Sequence, residues 1–101
     1  MPPKAYSINL SKITDMEKWS EYGKRAGVLS TAAGAKVLAF RGRQQVIEGD
    51  PVDCQTTILE WPSYDVVVAN FTSPEYKAAK NFREGAGTLQ MIVVEGYEEP
   101  S

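Results

Sequence analysis

The sequence contains no histidine and only one cysteine, Cys54. Without histidine, the chain lacks the most frequent side-chain ligand of metals and haem and the usual general acid or base near neutral pH. A single cysteine forms neither an intrachain disulfide nor a paired-cysteine metal site, and no basic residue adjoins Cys54 to activate a catalytic thiol. We therefore expect no metal site and no bound cofactor.

Long apolar runs and an excess of positive charge are also missing. Hydrophobic residues make up 43% of the chain and charged residues 24%, which is typical of a soluble globular domain, while the net charge of −2 provides no basic surface for nucleic acid. The apolar runs are too short to cross a bilayer, and the segment "MPPKAY" is not typical of a signal peptide. These features predict one cytoplasmic domain over residues 1–101 that binds neither nucleic acid nor membrane.

Four segments of the sequence are typical of β-strands. Alternating or continuous apolar residues with β-branched and aromatic side chains predict strands at 5–10, 35–40, 55–61 and 88–97. Between the second and third strands, "RGRQQ" predicts a turn and the following "VIEG" predicts a short return arm.

Two regions of the sequence have helical periodicity instead. Residues 14–33 form one amphipathic helix, in which Gly23 and Gly27 lie along one flank of the apolar stripe, where a backbone or a ligand can approach closely. A second helix is divided into 63–72 and 73–85, because Ser73 and Pro74 are typical of a new helix start. Continuing the helical wheel through this last segment places Phe82 in the core with the alanines.

The predicted order β-α-β-β-α-β is that of an α+β ferredoxin-like domain with a split second helix. Both helices then cover one face of the sheet. The last strand is apolar on both of its faces, so the other sheet face would expose a large apolar patch. We expect a second copy of the chain to cover that patch, which makes the protein a homodimeric α/β barrel.

Four segments in order carry a family resemblance: "AAGAKVLAFRG", "ILEWPS", "FTSPEYKAA" and "VVEG". Together they resemble the DUF1330 family of the dimeric α/β-barrel superfamily, whose members usually hold ligands between the helices and the sheet. The superfamily contains cofactor-free oxygenases, isomerases and lyases, so the resemblance implies a fold without selecting an activity. Many relatives have a histidine where this chain has Ala33, and chemistry that depends on that histidine is not expected here.

Several aromatic and basic residues are candidates for such a ligand site. Tyr76 and Arg83 share one flank of the last helix, where the guanidinium has the geometry to bind a carboxylate or phosphate. Arg41 and Arg43 around Gly42 suit an anion-binding loop. The structural alternative for the first pair is a tyrosine packed in the core beside an arginine that reaches water. For the loop, the alternative is a hairpin end with solvated charges. The predicted ligand-binding residues are Trp19, Tyr22, Arg41, Trp61, Tyr76 and Arg83. Trp61 is the weakest of these, and Tyr6, Ser7 and Asn9 are equally weak additional candidates.

Catalysis has weaker support from the sequence. Glu60, on the strand face shared with Ile58, is a candidate proton acceptor, and Tyr22 is a second candidate because a buried hydroxyl group needs a partner. A structural charge pair with an arginine or lysine across the barrel interface is the alternative for Glu60. Two functions follow: a protein that binds a small anionic or aromatic metabolite, or a cofactor-independent isomerase, lyase or oxygenase acting on a small acidic compound. An interaction module without a pocket is a third hypothesis.

Overall fold

A computed structural model describes residues 2–98 of the chain. It contains four strands, three α-helices and one short 3₁₀ turn, which confirms the predicted element order. The elements are β1 (Ala5–Ile13), α1 (Met16–Ala32), β2 (Lys36–Phe40), β3 (Gln55–Trp61), α2 (Tyr64–Phe71), α3 (Pro74–Lys80), the 3₁₀ turn (Asn81–Arg83) and β4 (Gly87–Glu95). None of the helices in this part of the chain is long and apolar enough to cross a membrane.

Side-chain caps fix the start of each α-helix. Asp15 accepts a hydrogen bond from the backbone N–H of Lys18 at 3.2 Å. Ser63 and Ser73 cap α2 and α3 in the same way, and Pro74 occupies the first turn of α3, where its missing N–H has no helical partner to lose. The predicted break of the second helix at Ser73 and Pro74 is confirmed, and it allows the chain to bend over the sheet.

The four strands form one antiparallel sheet in the order β2-β3-β1-β4. On the central strand β1, Ala5, Ser7 and Ser11 are buried. Because strand side chains alternate between the two faces, these residues define the face that the helices cover. On the opposite face, Ile8 lies in register with both Ile58 and Ile92, so three isoleucines form one row across three strands.

Two clusters of buried side chains form the core between the helices and the sheet. The first contains Trp19, Tyr22, Tyr76 and Ala86, and the second contains Ala5, Trp61 and Val67. Phe71 packs against both clusters, with its ring 4.9 Å from that of Tyr76 and 5.2 Å from that of Trp61. The aromatic residues therefore connect the two halves of the core.

Two details of the sequence prediction are wrong. The return arm "VIEG" is not a strand: residues 41–54 contain neither strand nor helix, and Ile47 is 87% exposed. Side-chain hydrogen bonds fix the end of this loop instead, since Gln44 donates to the Cys54 carbonyl and accepts from the Thr56 hydroxyl.

The second correction concerns Phe82, which is 42% exposed rather than part of the core. The α-helix ends at Lys80, and the following 3₁₀ turn rotates successive residues by about 120° instead of about 100°. A helical wheel with about 100° per residue therefore gives wrong side-chain directions beyond the end of α3. The Phe82 ring instead packs under the guanidinium of Arg25, whose central carbon lies 3.8 Å from the ring centroid.

Candidate ligand cleft

A cleft of about 470 Å³ lies between α1 and the helix-covered face of the sheet. This volume falls within the range that is usual for small-molecule sites. All four strands of the sheet contribute side chains along this face, and α1 contributes one side of the cleft with its two internal glycines. The principal lining residues are Asn9, Trp19, Tyr22, Gly23, Gly27, Val37, Phe40, Arg41, Thr57, Leu59 and Phe71.

Aromatic side chains form the inner wall of the cleft. Trp19 and Tyr22 lie three residues apart on α1, so they point to the same side of the helix, and their rings meet edge to face with 5.6 Å between centroids. Phe71 extends this wall from α2. The sequence prediction placed Trp19 and Tyr22 in a ligand site, and the structure brings both to the cleft.

Tyr76 and Arg83 lie behind this wall rather than in the cleft. The hydroxyl groups of Tyr22 and Tyr76 are 2.8 Å apart and buried. The guanidinium carbon of Arg83 lies 4.8 Å from the centroid of the Tyr22 ring and 5.7 Å from that of Trp19. The predicted pair is thus close to Tyr22, but it supports the wall from the side of α3.

The surroundings of Tyr22 and Arg83 shift the pKa of each side chain. Burial raises the pKa of Tyr22 above its ordinary value; the charge and hydrogen bonding of Tyr76 act in the same direction, and Arg83 opposes them. Burial lowers the pKa of Arg83, but interaction with the hydroxyl groups of Tyr76 and Tyr22 outweighs it, and the net shift is upward. Tyr22 is therefore a neutral hydrogen-bonding group at physiological pH, and Arg83 is a fixed cation.

Within the described part of the chain, Asn9, Asn70 and Arg83 each have a buried polar side-chain atom without a hydrogen-bond partner, and of these residues Asn9 lines the cleft, on its sheet side. The buried atom of Asn9 is its side-chain oxygen Oδ1. A buried acceptor without a donor costs about 1–3 kcal/mol, so such atoms are uncommon unless a bound molecule or water satisfies them. Strand alternation places Asn9 on the helix-covered face with Ser7 and Ser11. The same alternation is visible in the sequence, from which Asn9 was predicted only as a weaker candidate.

Arg41 lies at the mouth of the cleft, directly after β2. Its φ angle of 46° puts a non-glycine residue in the left-handed region. The guanidinium carbon is 4.3 Å from the centroid of the Phe40 ring, and Nη1 donates a long hydrogen bond of 3.7 Å to the sulfur atom of Met16. Arg41 therefore spans the opening between the end of β2 and the start of α1, and the predicted anion-binding loop is adjacent to the cleft.

Two predicted residues lie elsewhere. Trp61 is fully buried in the second core cluster, where its Nε1 donates to the hydroxyl oxygen of Ser7 at 3.0 Å. Glu60 lies on the opposite face of the sheet, and one of its carboxylate oxygens is 3.6 Å from the Lys4 amine. Neither side chain lines the cleft. The Lys4 pair of Glu60 lies within one chain, so the predicted charge pair across the barrel interface stays a prediction.

The polar groups at the cleft suit an organic ligand better than a metal ion. Across residues 2–98, no group of three or more histidine, cysteine, aspartate or glutamate side chains is arranged to hold a metal. The cleft offers an amide, several hydroxyl groups and two basic side chains instead. Such groups bind ligands by hydrogen bonds and ion pairs, while the aromatic wall contributes apolar contact area.

Comparison with known proteins identifies a family and a set of similar folds. Residues 4–97 match the model of a family described as a domain of unknown function, DUF1330. No curated protein matches the sequence significantly. A protein of unknown function from Rhodopseudomonas palustris has a similar structure, with a TM-score of 0.75 and 20% identity over 98% of this chain and 86% of that chain.

Two further solved structures show the same fold at lower identity. SnoaB, a cofactor-independent oxygenase from Streptomyces nogalater, gives a TM-score of 0.66 with 10% identity, covering 96% of this chain and 96% of that chain. A dimeric protein of unknown function from Bacteroides fragilis, described as having a ferredoxin-like fold, gives 0.59 with 15% identity over 92% of this chain and 96% of that chain. At these identities the likeness establishes the ferredoxin-like fold alone.

Proposed function

The chain belongs to the DUF1330 family, and from this premise we propose that it binds a small aromatic or anionic metabolite in the cleft between α1 and the sheet. The buried, unpartnered Oδ1 of Asn9 is the observation that carries the proposal. A rotation of the Asn9 amide would turn this oxygen toward the cleft, and a ligand hydroxyl or amine group that donates to it would remove the cost of an unsatisfied buried acceptor. The aromatic wall formed by Trp19, Tyr22 and Phe71 would cover the ring of the same ligand.

Calorimetric titration with matched naphthalene compounds tests this proposal. We expect 1-naphthol, which has a hydroxyl donor, to bind more tightly than 1-methoxynaphthalene, which has none. Asn9→Ala should weaken naphthol binding about ten-fold and leave the methoxy compound unaffected, because one buried hydrogen bond is lost. Glu60→Gln is the matched control, since Glu60 lies on the other face of the sheet. Equal binding of naphthol to wild type and Asn9→Ala would refute the role of Asn9.

A cofactor-independent oxygenase is the second candidate function. Its support is the similarity in fold to SnoaB, together with an apolar wall that shields an aromatic substrate from water. In this case Asn9 would accept a hydrogen bond from the hydroxyl group of an electron-rich substrate. An oxygen electrode distinguishes the two functions: consumption of oxygen with a bound hydroxyaromatic compound supports the enzyme, whereas saturable binding without consumption supports the binding protein.

We also propose that two copies pack sheet to sheet as a homodimeric α/β barrel. The face opposite the helices carries the row formed by Ile8, Ile58 and Ile92, and Ile92 is 45% exposed in one copy. An apolar sheet face of this kind is unfavourable in water, and a two-fold packing of identical faces would bury it. The similar protein from Bacteroides fragilis is described as dimeric, which favours the same assembly here.

A further inference from the structure

The charges that line the cleft differ from those of the whole chain. The chain has 13 acidic and 11 basic residues. Within residues 2–98, however, the charged side chains lining the cleft are Lys24 and Arg41, and no carboxylate lines it. Lys24 has a partner on its own helix, since its amine lies 3.6 Å from a carboxylate oxygen of Glu21. Arg41 forms no ion pair in this part of the chain, so a cation without a counter-charge stands at the mouth of an apolar cleft.

The backbone of Arg41 holds this cation in position at an energetic cost. A φ of 46° is unfavourable for a residue with a β-carbon, and glycine is the usual residue in this region. The Arg41 N–H donates to the carbonyl of Thr56 at 2.8 Å, which anchors the strained residue to β3. Met16 sulfur, a weak acceptor, is the guanidinium's hydrogen-bond partner across the mouth. A charged oxygen would be a much better acceptor than this sulfur, and strain of this kind is commonly retained at functional sites.

The helix side of the cleft supplies a flat surface. Gly23 and Gly27 both line the cleft, and a β-carbon placed on either would meet no atom within 4 Å apart from its chain neighbours and the surrounding backbone of α1. The packing of this chain therefore does not require glycine at these positions, although alanine is the better helix former. The missing side chains leave room for a planar group to lie against the helix backbone.

We propose that the cleft selects a flat aromatic carboxylate, with its ring against Gly23 and Gly27 and its carboxylate on the guanidinium of Arg41. This assignment of ligand class rests on the proposed binding function. Besides the hydrogen bond with Asn9, the ligand must then meet two further requirements. Arg41 requires a negative charge, and Gly23 and Gly27 require a flat shape. Arg41 is the specificity-determining residue in this arrangement because it distinguishes an acid from its neutral isostere.

Titration of wild type and Asn9→Ala with 2-naphthoate and its neutral isostere 2-naphthamide tests the charge requirement, because the amide N–H has no Asn9 oxygen to bind in the variant. We expect wild type to bind the acid about ten-fold more tightly than the amide, because a charge-assisted hydrogen bond is stronger than a neutral one, and added salt should reduce the difference. Arg41→Asn should abolish the preference while keeping the backbone, since asparagine tolerates positive φ better than most residues. Arg41→Lys should retain part of it.

The outcomes separate this inference from the proposed function. If the acid and the amide bind wild type equally, or if Arg41→Asn keeps the full preference, charge selection by Arg41 is refuted while the cleft remains a binding site. If neither compound binds, and naphthol does not bind either, both the inference and the proposed function fail.

Gly27→Ala tests the shape requirement with two independent measurements. We expect the variant to melt at a higher temperature, because alanine favours the helix and meets no atom outside α1, and to bind 2-naphthoate at least ten-fold more weakly. Its sedimentation should equal that of wild type. Unchanged affinity would refute the placement of the ring, and a change in sedimentation would refute it in favour of a second copy of the chain lying on the glycines.

Discussion

The hydroxyl groups of Tyr22 and Tyr76 lie 2.8 Å apart in the core and connect α1 to α3. Both side chains are buried, and their rings meet at an interplanar angle of 75°. Each hydroxyl group has the other as its hydrogen-bond partner, and the guanidinium of Arg83 interacts with both. This pair therefore supports the aromatic wall of the cleft, since a shift of Tyr22 would move the wall itself.

Loss of both hydroxyl groups of this pair should destabilise the protein by less than the sum of the two single losses. We expect Tyr76→Phe to lower the free energy of unfolding by about 1–3 kcal/mol, because the Tyr22 hydroxyl is left buried without its partner. Tyr22→Phe should behave similarly. The double variant should lose less than the sum of the two, and urea denaturation of all four proteins measures the coupling. Tyr97→Phe is the control, since Tyr97 is 83% exposed. Strictly additive losses would contradict the pairing.

Alkaline pH should weaken the fold through Tyr22. Burial raises the pKa of Tyr22 above the ordinary 10.0, so in the unfolded chain this group loses its proton at a lower pH than in the folded protein. The stabilising contribution is complete below about pH 10 and decreases as the pH rises further, by up to about 1.4 kcal/mol per pH unit for one proton. Lysine residues titrate in the same range, so the contribution of Tyr22 has to be measured as a difference.

That difference is obtained by urea denaturation of wild type and Tyr22→Phe between about pH 8 and about pH 11. The free energy of unfolding of wild type should decrease more steeply than that of Tyr22→Phe above about pH 10. Parallel curves would show that the Tyr22 proton affinity is the same in the folded and unfolded chain.

The second core cluster depends on one polar contact. Trp61 and Ser7 are both fully buried, and the indole N–H donates to the serine hydroxyl at 3.0 Å. Ser7→Ala should lower the free energy of unfolding by about 1–3 kcal/mol because it leaves the indole donor unsatisfied. Ser20→Ala, on the exposed surface of α1, should have no destabilising effect. If the two substitutions had equal effects, the hydrogen bond would contribute nothing measurable to stability.

The sequence predicted the elements and the wall of the cleft because both depend on periodicity. Trp19 and Tyr22 were identified by a helical repeat that continues without interruption through α1, and the third strand was predicted with its observed bounds. Arg41 was identified by its neighbours in a loop. The orientation of its side chain depends on a positive φ, which arginine rarely adopts and a sequence pattern does not indicate.

Predictions that depended on long-range geometry were less successful. The helical wheel placed Tyr76 and Arg83 on one flank, but Arg83 lies in the 3₁₀ turn beyond α3, and the direction in which α3 faces depends on how it crosses α1, which local patterns do not determine. Alternation showed that Glu60 faces away from Trp61, and only the assembled sheet shows which of the two faces lies under the helices. Asn9 is a strong candidate for ligand binding because its Oδ1 has no hydrogen-bond partner within the described part of the chain. That property depends on how the whole site packs, which a local pattern does not show.

Dissociation of the proposed dimer should require only one charge on the open sheet face. Ile8 occupies the centre of this face, in register with Ile58 on one side and Ile92 on the other. Ile8→Asp would place a carboxylate in the middle of an apolar interface, where an unpaired charge is strongly unfavourable. We expect sedimentation at micromolar concentration to show a dimer for wild type and a monomer for Ile8→Asp.

A matched surface variant shows whether the position of the charge decides this result. Val28 is 70% exposed on α1, so Val28→Asp adds the same charge away from the sheet and should remain dimeric. The melting temperature of wild type should rise with protein concentration, because association stabilises the folded state by mass action, and that of Ile8→Asp should not. A monomeric wild type would refute the barrel. Dissociation of both variants would mean that net charge, rather than the isoleucine row, controls assembly.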